Sequence, residues 1–497
     1  GGTIAVLANW LPAPQNQEAQ WLAQALRDPA SAVTAAASWP DTARARQAAT
    51  LALERQARRD TPAADAAWQQ LQARFQFSDS QRDTILRALA LFHATDFDPG
   101  ALARLIALPA AAQTDATREW RARVALAAQD WTAVLAAIAA MPASQQQEAE
   151  WRWFKARALA ATGQGGQAQA IYADLAGETT FFGFLAADQL KQPYVICPRA
   201  SPEAPRQQQA LLAQPGLRRA FELFAVDLPK LARREWSRAL EGADERTRVL
   251  AVELADSRGW YDRAAFTLNH GEAMRYYTLR FPLASQDGLV LQAEQAGIDP
   301  AWAYGILRAE SAWMNDARSG ADARGLMQLV PATAALVAKR NGLAWTGGDS
   351  LYDPATSIAL GTRYLAQVAA RFNGAPWLAS AAYNAGPNRV EQWVAARSAL
   401  PPDLFIATIP YKETREYVAR VLDYSVMYGW RLHGKVLPMS DRLTPIGQAY
   451  ALPDSLTPRK PVDCPTPPPA RAGSVQAPAV AASPTSGVAP AAARGSR

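Results

Sequence analysis

Hydrophobic and polar positions from residue 1 to about 195 follow the period of consecutive short amphipathic helices. Two stretches share one layout of helix, polar or glycine turn, then helix: RVALAAQDWTAVLAAI (123–138) and RALAATGQGGQAQAIY (157–172), offset by 34 positions. A third copy, VELADSRGWYDRAAFTL, spans 252–268. Ala-rich helix-turn-helix units at that period predict a tetratricopeptide-like solenoid, in which each unit buries its apolar face only against its neighbours. A break is expected from Gln192 to Pro215, where prolines gather and helical periodicity is lost. Helix is expected again from about 216 to 280, and from Phe281-Pro282 to about 440 glycine-rich turns and scattered aromatics give the chain a different character. Beyond about 441 prolines dominate, and 465–497 lacks aromatics and nearly all large aliphatics, so it is expected to be disordered for want of surface to bury. The expected division is a superhelical domain over 1–205, a helical linker over 206–280, a third domain over 281–440 and a Pro/Ala-rich extension over 441–497.

Composition supports an all-α chain. A length of 497 residues allows about three domains and a large core. The charged fraction of 19% lies below the usual quarter or so, while Ala and Gln abound, as in long packed helices. The net charge of +6 suits a polyanionic partner, but 51 basic residues against 45 acidic ones, with no Lys/Arg block, fit a solvated surface equally well. No uninterrupted apolar stretch approaches the ~18 residues of a membrane span, and Ile4 to Leu11 is far too short. The sequence opens at Gly1 without Met, and an export signal is expected to have been removed ahead of it.

Candidate chemistry gathers in the third domain. Asp299-Pro300 has the form of a helix start, with Asp as N-cap and Pro in the first helical position. In the helix that follows, Ala303, Ile306, Leu307 and Glu310 fall at i, i+3, i+4 and i+7, which puts a carboxylate on the apolar stripe. Such a carboxylate is either ion-paired, with Arg308 or Arg324 as partners, or held protonated by desolvation and so a general acid. Downstream, Arg318-Ser319-Gly320 and Gly325-Leu326-Met327-Gln328-Leu329 supply small residues for close backbone approach, and Gln328 offers both donors and acceptors. The glycines serve equally to turn the chain. Asp353-Pro354 opens another helix that Gly374 is expected to end, and PWLASAAYNAGPNRV stops at Gly386-Pro387 with Tyr383 and Asn384 in its last turn. Glu413 lies in the first turn of a further helix, where the macrodipole favours a carboxylate, with Tyr417 one turn on along the same face.

The segments ESAW, SGADARGLMQLVPATA, AYNAGPNRV and IPYKETREYV, in this order and spacing, resemble the soluble lytic transglycosylases with a goose-type lysozyme-like catalytic domain. TTFFGFLAADQL (179–190) is similar to a segment near the end of that family's ring-forming helical domain, and LRFPL (279–283) to the start of its catalytic domain. The resemblance covers the chain to about residue 440 and is strongest over 279–430. It implies a ring-forming N-terminal superhelix, a helical linker and a lysozyme-like domain. It also implies that Glu310 is the sole catalytic acid and base, and that Ser319, Gln328, Tyr383, Asn384, Glu413 and Tyr417 line or support the saccharide cleft. Where the family carries Asn-Pro after the Glu-Ser pair, this chain has Met314-Asn315, so a different loop shape is expected there.

The activity so implied is cleavage of the β-1,4 bond between N-acetylmuramic acid and N-acetylglucosamine with formation of a 1,6-anhydromuramyl end, without cofactor or metal. Its partner is the peptidoglycan glycan strand rather than nucleic acid, and the protein is expected to act as a monomer in the periplasm. Two other readings stay open: a water-using muramidase with Glu413 or Asp316 as second carboxylate, and a helical scaffold that binds glycan without cutting it. Cys197 and Cys464 are the only cysteines, each in a Pro-containing context. They are either unrelated thiols or a disulfide, and export to an oxidising compartment favours the bridge.

Overall fold

The computed structural model describes residues 2–202 and 204–464, so the segment expected to be disordered, 465–497, lies outside the described residues. The chain forms two compact units, 1–171 and 172–497, and among the described residues the only strands are Tyr194–Val195 and Val462–Asp463.

The first unit is a succession of helices that begin at side-chain caps. Asp28, Thr42, Asp60, Ser78, Thr114 and Asp130 each accept a backbone N–H of the following turn, satisfying donors that a helix start leaves unpaired. The abundance of alanine has a packing reason. On the Ala43–Ala57 helix, Ala45, Ala48, Ala49 and Ala52 are fully buried, and a stripe of small side chains lets neighbouring helices approach closely. Large aromatics fill the remaining gaps, as where Trp21 stacks on Trp39 at 5.1 Å.

The three repeat-like stretches do fold as helix pairs: Asp115–Ala127 with Trp131–Ala139, Ala149–Ala161 with Gly165–Leu175, and Glu245–Asp256 with Asp262–Thr267. Each pair turns at a left-handed residue, Gln129, Gly163 and Gly259 respectively, the conformation that commonly ends a helix.

The second unit corrects the expected break at 192–215. Helix resumes at Pro205, in Pro205–Ala213, and continues in Pro215–Ala225. Pro193, Pro198 and Pro202 do lie in a non-helical stretch that runs to 204, but Pro205 and Pro215 occupy first helical positions, where a missing N–H costs no bond. Trp236, Trp260 and Phe221 form the centre of this helical layer, with Trp236 and Trp260 edge to face at 5.3 Å.

At the heart of the remainder, the Pro300–Ser311 helix packs on the 22-residue Lys412–His433 helix. Gly305 permits the approach, since a Cβ there would sit 2.7 Å from the Val421 carbonyl oxygen. Tyr304 stacks on Tyr428 at 4.6 Å across the same seam. The Pro354–Ala370 helix ends four residues before Gly374, and the chain turns through left-handed Asn373 and Gly374. The segment after 441 is tied to this layer. Fully buried Arg442 pairs with Asp299 at 2.9 Å, Trp377 donates to the Thr444 carbonyl, and Val462–Asp463 lies parallel to Tyr194–Val195. Beside that strand pair, Cys197 and Cys464 are joined as a disulfide with their Cα atoms 4.9 Å apart. Among the described residues no helix is long and apolar enough to cross a membrane.

Candidate active site

Glu310 lies in the last turn of the Pro300–Ser311 helix, which starts where Asp299 caps the Ala301 N–H at 2.9 Å. The chain then reverses at once: Ala312 and Trp313 both have positive φ, 48° and 71°. Two consecutive non-glycine residues in this region are strained and persist only where packing over-determines them. Trp313 supplies that packing. It is buried, its indole donates to Tyr428 Oη at 3.2 Å, and its backbone N–H donates to Ser311 Oγ. The turn that presents Glu310 is thereby fixed.

Glu310 has no ion pair with either arginine considered from the sequence. Arg308 donates to the Arg280 carbonyl and lies over the Tyr424 ring, while Arg324 is engaged by Asp322 and Asp349. The carboxyl instead accepts a hydrogen bond from Tyr417 at 2.5 Å. Removal from water pushes Glu310 up to about 7; the Tyr417 hydrogen bond and the positive charge of Arg420 oppose this, and the negative charge of Glu413 adds to it. The residue keeps partial exposure, so the group is a carboxylic acid that is protonated in a large fraction of molecules near neutrality and still reachable.

Three tyrosines surround it. Burial and the Glu310 charge both push the phenols of Tyr417, Tyr383 and Tyr364 above their ordinary range, so all three remain protonated. Tyr383 donates to the Met327 carbonyl at 2.7 Å and meets Tyr364 ring to ring at 5.2 Å. Tyr364 escaped the sequence reading because it sits mid-helix with no motif around it. Only its place ten residues after Pro354, on a helix that packs beside the Pro376–Ala385 helix, brings it here.

The loop from 317 to 329 closes on itself. Ser319 Oγ accepts the Ala323 N–H at 3.0 Å, and both amide hydrogens of Gln328 go to the loop carbonyls of Ala317 and Gly325, at 3.0 and 2.8 Å. Gln328, itself at φ 47°, therefore shapes the loop and has only its carbonyl oxygen for a ligand. Gly325 is required where it stands: its φ is +74° and a Cβ would lie 1.8 Å from the Leu351 carbonyl oxygen. Met327 anchors the loop, its N–H bonded to Ser357 Oγ. Asn384 accepts from Thr414 at 2.6 Å through its side-chain oxygen, which orients the amide and keeps its two hydrogens for another partner.

Of the two carboxylates considered as partners for Glu310, Glu413 is exposed in the first turn of its helix and within electrostatic reach. Asp316 is committed elsewhere. It accepts both terminal nitrogens of Arg233, which also holds buried Asp262 at 2.8 Å, and these bonds keep Asp316 below the usual carboxylate range against the opposing effect of burial. Among the described residues no group of three or more His, Cys, Asp or Glu side chains converges as a metal site.

Comparison with known proteins places the chain among lytic transglycosylases. The family model "Transglycosylase SLT domain" matches residues 290–406, "Soluble lytic murein transglycosylase L domain" matches 210–276 and "Soluble lytic transglycosylase helical domain" matches 408–436. The chain is 32% identical over 282 residues to the soluble lytic murein transglycosylase of Salmonella typhimurium, covering 56% of this chain and 43% of that protein. It is 29% identical over 450 residues to the soluble lytic murein transglycosylase of Escherichia coli K12, covering 88% and 68%. It thus spans less than half the length of the Salmonella relative. The X-ray structure of an inactive mutant of the lytic transglycosylase Slt from Pseudomonas aeruginosa superimposes with a TM-score of 0.80 at 34% identity, covering 88% of this chain and 71% of that one. The chain belongs to the soluble lytic transglycosylase family.

Proposed function

We propose that this chain cleaves peptidoglycan glycan strands as a lytic transglycosylase, with Glu310 acting alone as acid and then base. The observation that carries the reading is the state of Glu310: a carboxyl raised to about 7 by desolvation, bonded to Tyr417 and free of any ion pair. A hydrolase with two working carboxylates would need a second one near the same bond; Asp316 is held in its pair with Arg233.

Protonated Glu310 donates to the oxygen between N-acetylmuramic acid and N-acetylglucosamine, and the C1–O bond breaks. The muramic 2-acetamido group assists departure and shares the positive charge at C1. Glu310, now a carboxylate, takes the proton of the muramic C6 hydroxyl, whose oxygen closes on C1. The product carries a 1,6-anhydro ring, no water is consumed and Glu310 returns to its protonated state. A carboxyl near 7 suits both halves of this cycle, because the best acid-base catalyst titrates near the working pH. Tyr417 restrains the carboxylate between the two steps, Asn384 has amide hydrogens for an acetamido carbonyl, and Glu413 adds negative potential opposite the charge developing at C1. Ser319 and Gln328 hold the loop that borders the cleft.

We also propose that the protein works as a monomer in the periplasm. Its assigned domains are a superhelical domain over 1–205, a linker over 206–280, a catalytic domain over 281–440 and an extension from 441. The disulfide supports an oxidising compartment.

The test is digestion of purified sacculi by the wild type and by Glu310→Gln, with products identified by mass. Anhydromuramyl ends from the wild type and none from the variant are expected. Reducing ends in place of anhydro ends would establish the water-using mechanism instead, and unchanged activity in the variant would remove Glu310 from the chemistry.

A further inference from the structure

A cavity of about 350 Å³, with Arg420 in its lining, opens between the start of the Phe181–Gln189 helix, the 274–281 segment and the Lys412–His433 helix. Its volume lies in the range of small-molecule sites, ~300–1,000 Å³, and Phe181, Tyr277 and Tyr424 line its walls. What distinguishes it is its charge. The Asp423 Oδ1 is buried with no hydrogen-bond partner, and burial pushes the carboxyl up to about 7 against the pull of Arg280. Arg280 spends one terminal nitrogen on the Met274 carbonyl, while its Nε is buried with no acceptor. Asp423 and Arg280 lie close enough to attract, yet no hydrogen bond joins them. Arg420, also in the lining, is exposed.

Unpartnered buried polar groups are rare in folded proteins and mark places where a partner is missing. Asp423 Oδ1 and Arg280 Nε are themselves closed off from the space, so a ligand meets these side chains through the other carboxyl oxygen and the remaining terminal nitrogen. With Arg420 they line one cavity, and a carboxyl beside two guanidinium groups suits a ligand with a cation and an anion a few bonds apart. We propose that this cavity binds the zwitterionic centre of an α-amino acid, its ammonium on Asp423 and its carboxylate on Arg280 and Arg420. A simple carboxylic acid would leave Asp423 unpaired and repelled, and an amine alone would face two guanidinium groups. The aromatic walls accept the carbon skeleton. The amino acid is either free or carried at the end of a peptide, as on the peptide stems of peptidoglycan. Glu310 does not line this cavity; the peptide-stem source rests on the proposed function, whereas binding of a free amino acid does not.

Calorimetric titration of the whole chain tests it. Alanine is compared with alaninamide, which lacks the carboxylate, and with N-acetylalanine, which lacks the ammonium. Free 2,6-diaminopimelate is then compared with a tripeptide that carries this residue with its distal amino acid centre free. Alanine is expected to bind, and either charge deletion to weaken binding about 10-fold or more, as loss of a charge-assisted hydrogen bond does. Tighter binding of the tripeptide identifies the peptide stem as the source, and tighter binding of the free compounds identifies a soluble amino acid. Asp423→Asn and Arg280→Gln are expected to weaken binding to the same degree while leaving the far-UV circular dichroism unchanged. No heat or chemical-shift change with any zwitterion at about 10 mM, or equal affinity for alanine and its charge-deleted analogues, would overturn the proposal. The ligand series on the wild type stands even if a variant misfolds.

Discussion

Tyr417 donates its phenolic hydrogen to Glu310 Oε1 at 2.5 Å, a bond that spans the seam between the Pro300–Ser311 and Lys412–His433 helices. It acts against the main influence on Glu310, since desolvation favours the neutral acid whereas an accepted hydrogen bond favours the carboxylate. Tyr417→Phe removes only the hydroxyl. The charged form then loses support and Glu310 stays protonated to higher pH, so the alkaline limb of the rate profile is expected to move to higher pH by on the order of one pH unit, with kcat lower by about 10- to 100-fold. The measurement is a pH–rate profile on sacculi. An unmoved profile would mean that Tyr417 does not bond the carboxylate in the working enzyme.

The same burial makes Glu310 a stability cost at high pH. Its folded value, about 7, lies above the ordinary 4.5, so between these values the folded state binds more protons than the unfolded one, and stability falls as pH rises. The contribution is fully present below about pH 4.5 and lost as pH passes through about 7. Glu310→Gln cannot ionise. It is expected to match the wild type at pH 4 and to exceed it at pH 8 by about 2–3 kcal/mol, a stabilisation at the expense of activity often found at catalytic residues. Urea titrations at the two pH values read this directly.

Asp316 behaves in the opposite sense. Its bonds to Arg233 hold it below the usual range, so the stability they supply is present above the ordinary Asp value and disappears as pH falls through the lower folded one. Asp316→Asn is expected to lower stability near neutrality by about 1–2 kcal/mol and to leave turnover on sacculi within about two-fold of wild type. A drop in turnover as large as that of Glu310→Gln would make Asp316 the second carboxylate of a hydrolase.

These residues show what the sequence makes legible. Capping and periodicity placed the Pro300–Ser311 helix and put Glu310 on its apolar stripe, because both signals are local. The choice between ion pair and protonated acid was beyond them. It depends on Tyr417, 107 positions away, and on Arg308 and Arg324 being drawn to other partners. Tyr364 was invisible for the same reason: nothing beside it in the chain reveals that tertiary packing brings it to the site, and Trp313, although part of the ESAW segment, carries no local sign of its bond to Tyr428. The break expected at 192–215 held as far as 204 and failed beyond it, for a different reason. Proline there was read as a helix breaker, but Pro205 and Pro215 each stand at a helix start, and composition alone does not separate the two roles.

Gly305 tests whether the seam itself sets the chemistry. A Cβ on it would lie 2.7 Å from the Val421 carbonyl oxygen and 2.9 Å from Ser425 Oγ. The serine can rotate away, but the carbonyl belongs to the backbone of the Lys412–His433 helix, so Gly305→Ala must spread the two helices. The better helix propensity of Ala, worth about 1 kcal/mol, is outweighed by overpacking of about 1–3 kcal/mol, and a lower midpoint of thermal unfolding is expected. Because Glu310 and Tyr417 lie on opposite sides of the seam, spreading also lengthens their bond. The variant's pH–rate profile should then shift in the same direction as that of Tyr417→Phe, although neither reacting side chain has changed. Gly288→Ala is the control: it lies within the Gln286–Gln295 helix with open space where its Cβ would go, so it is expected to raise stability slightly and leave the profile in place.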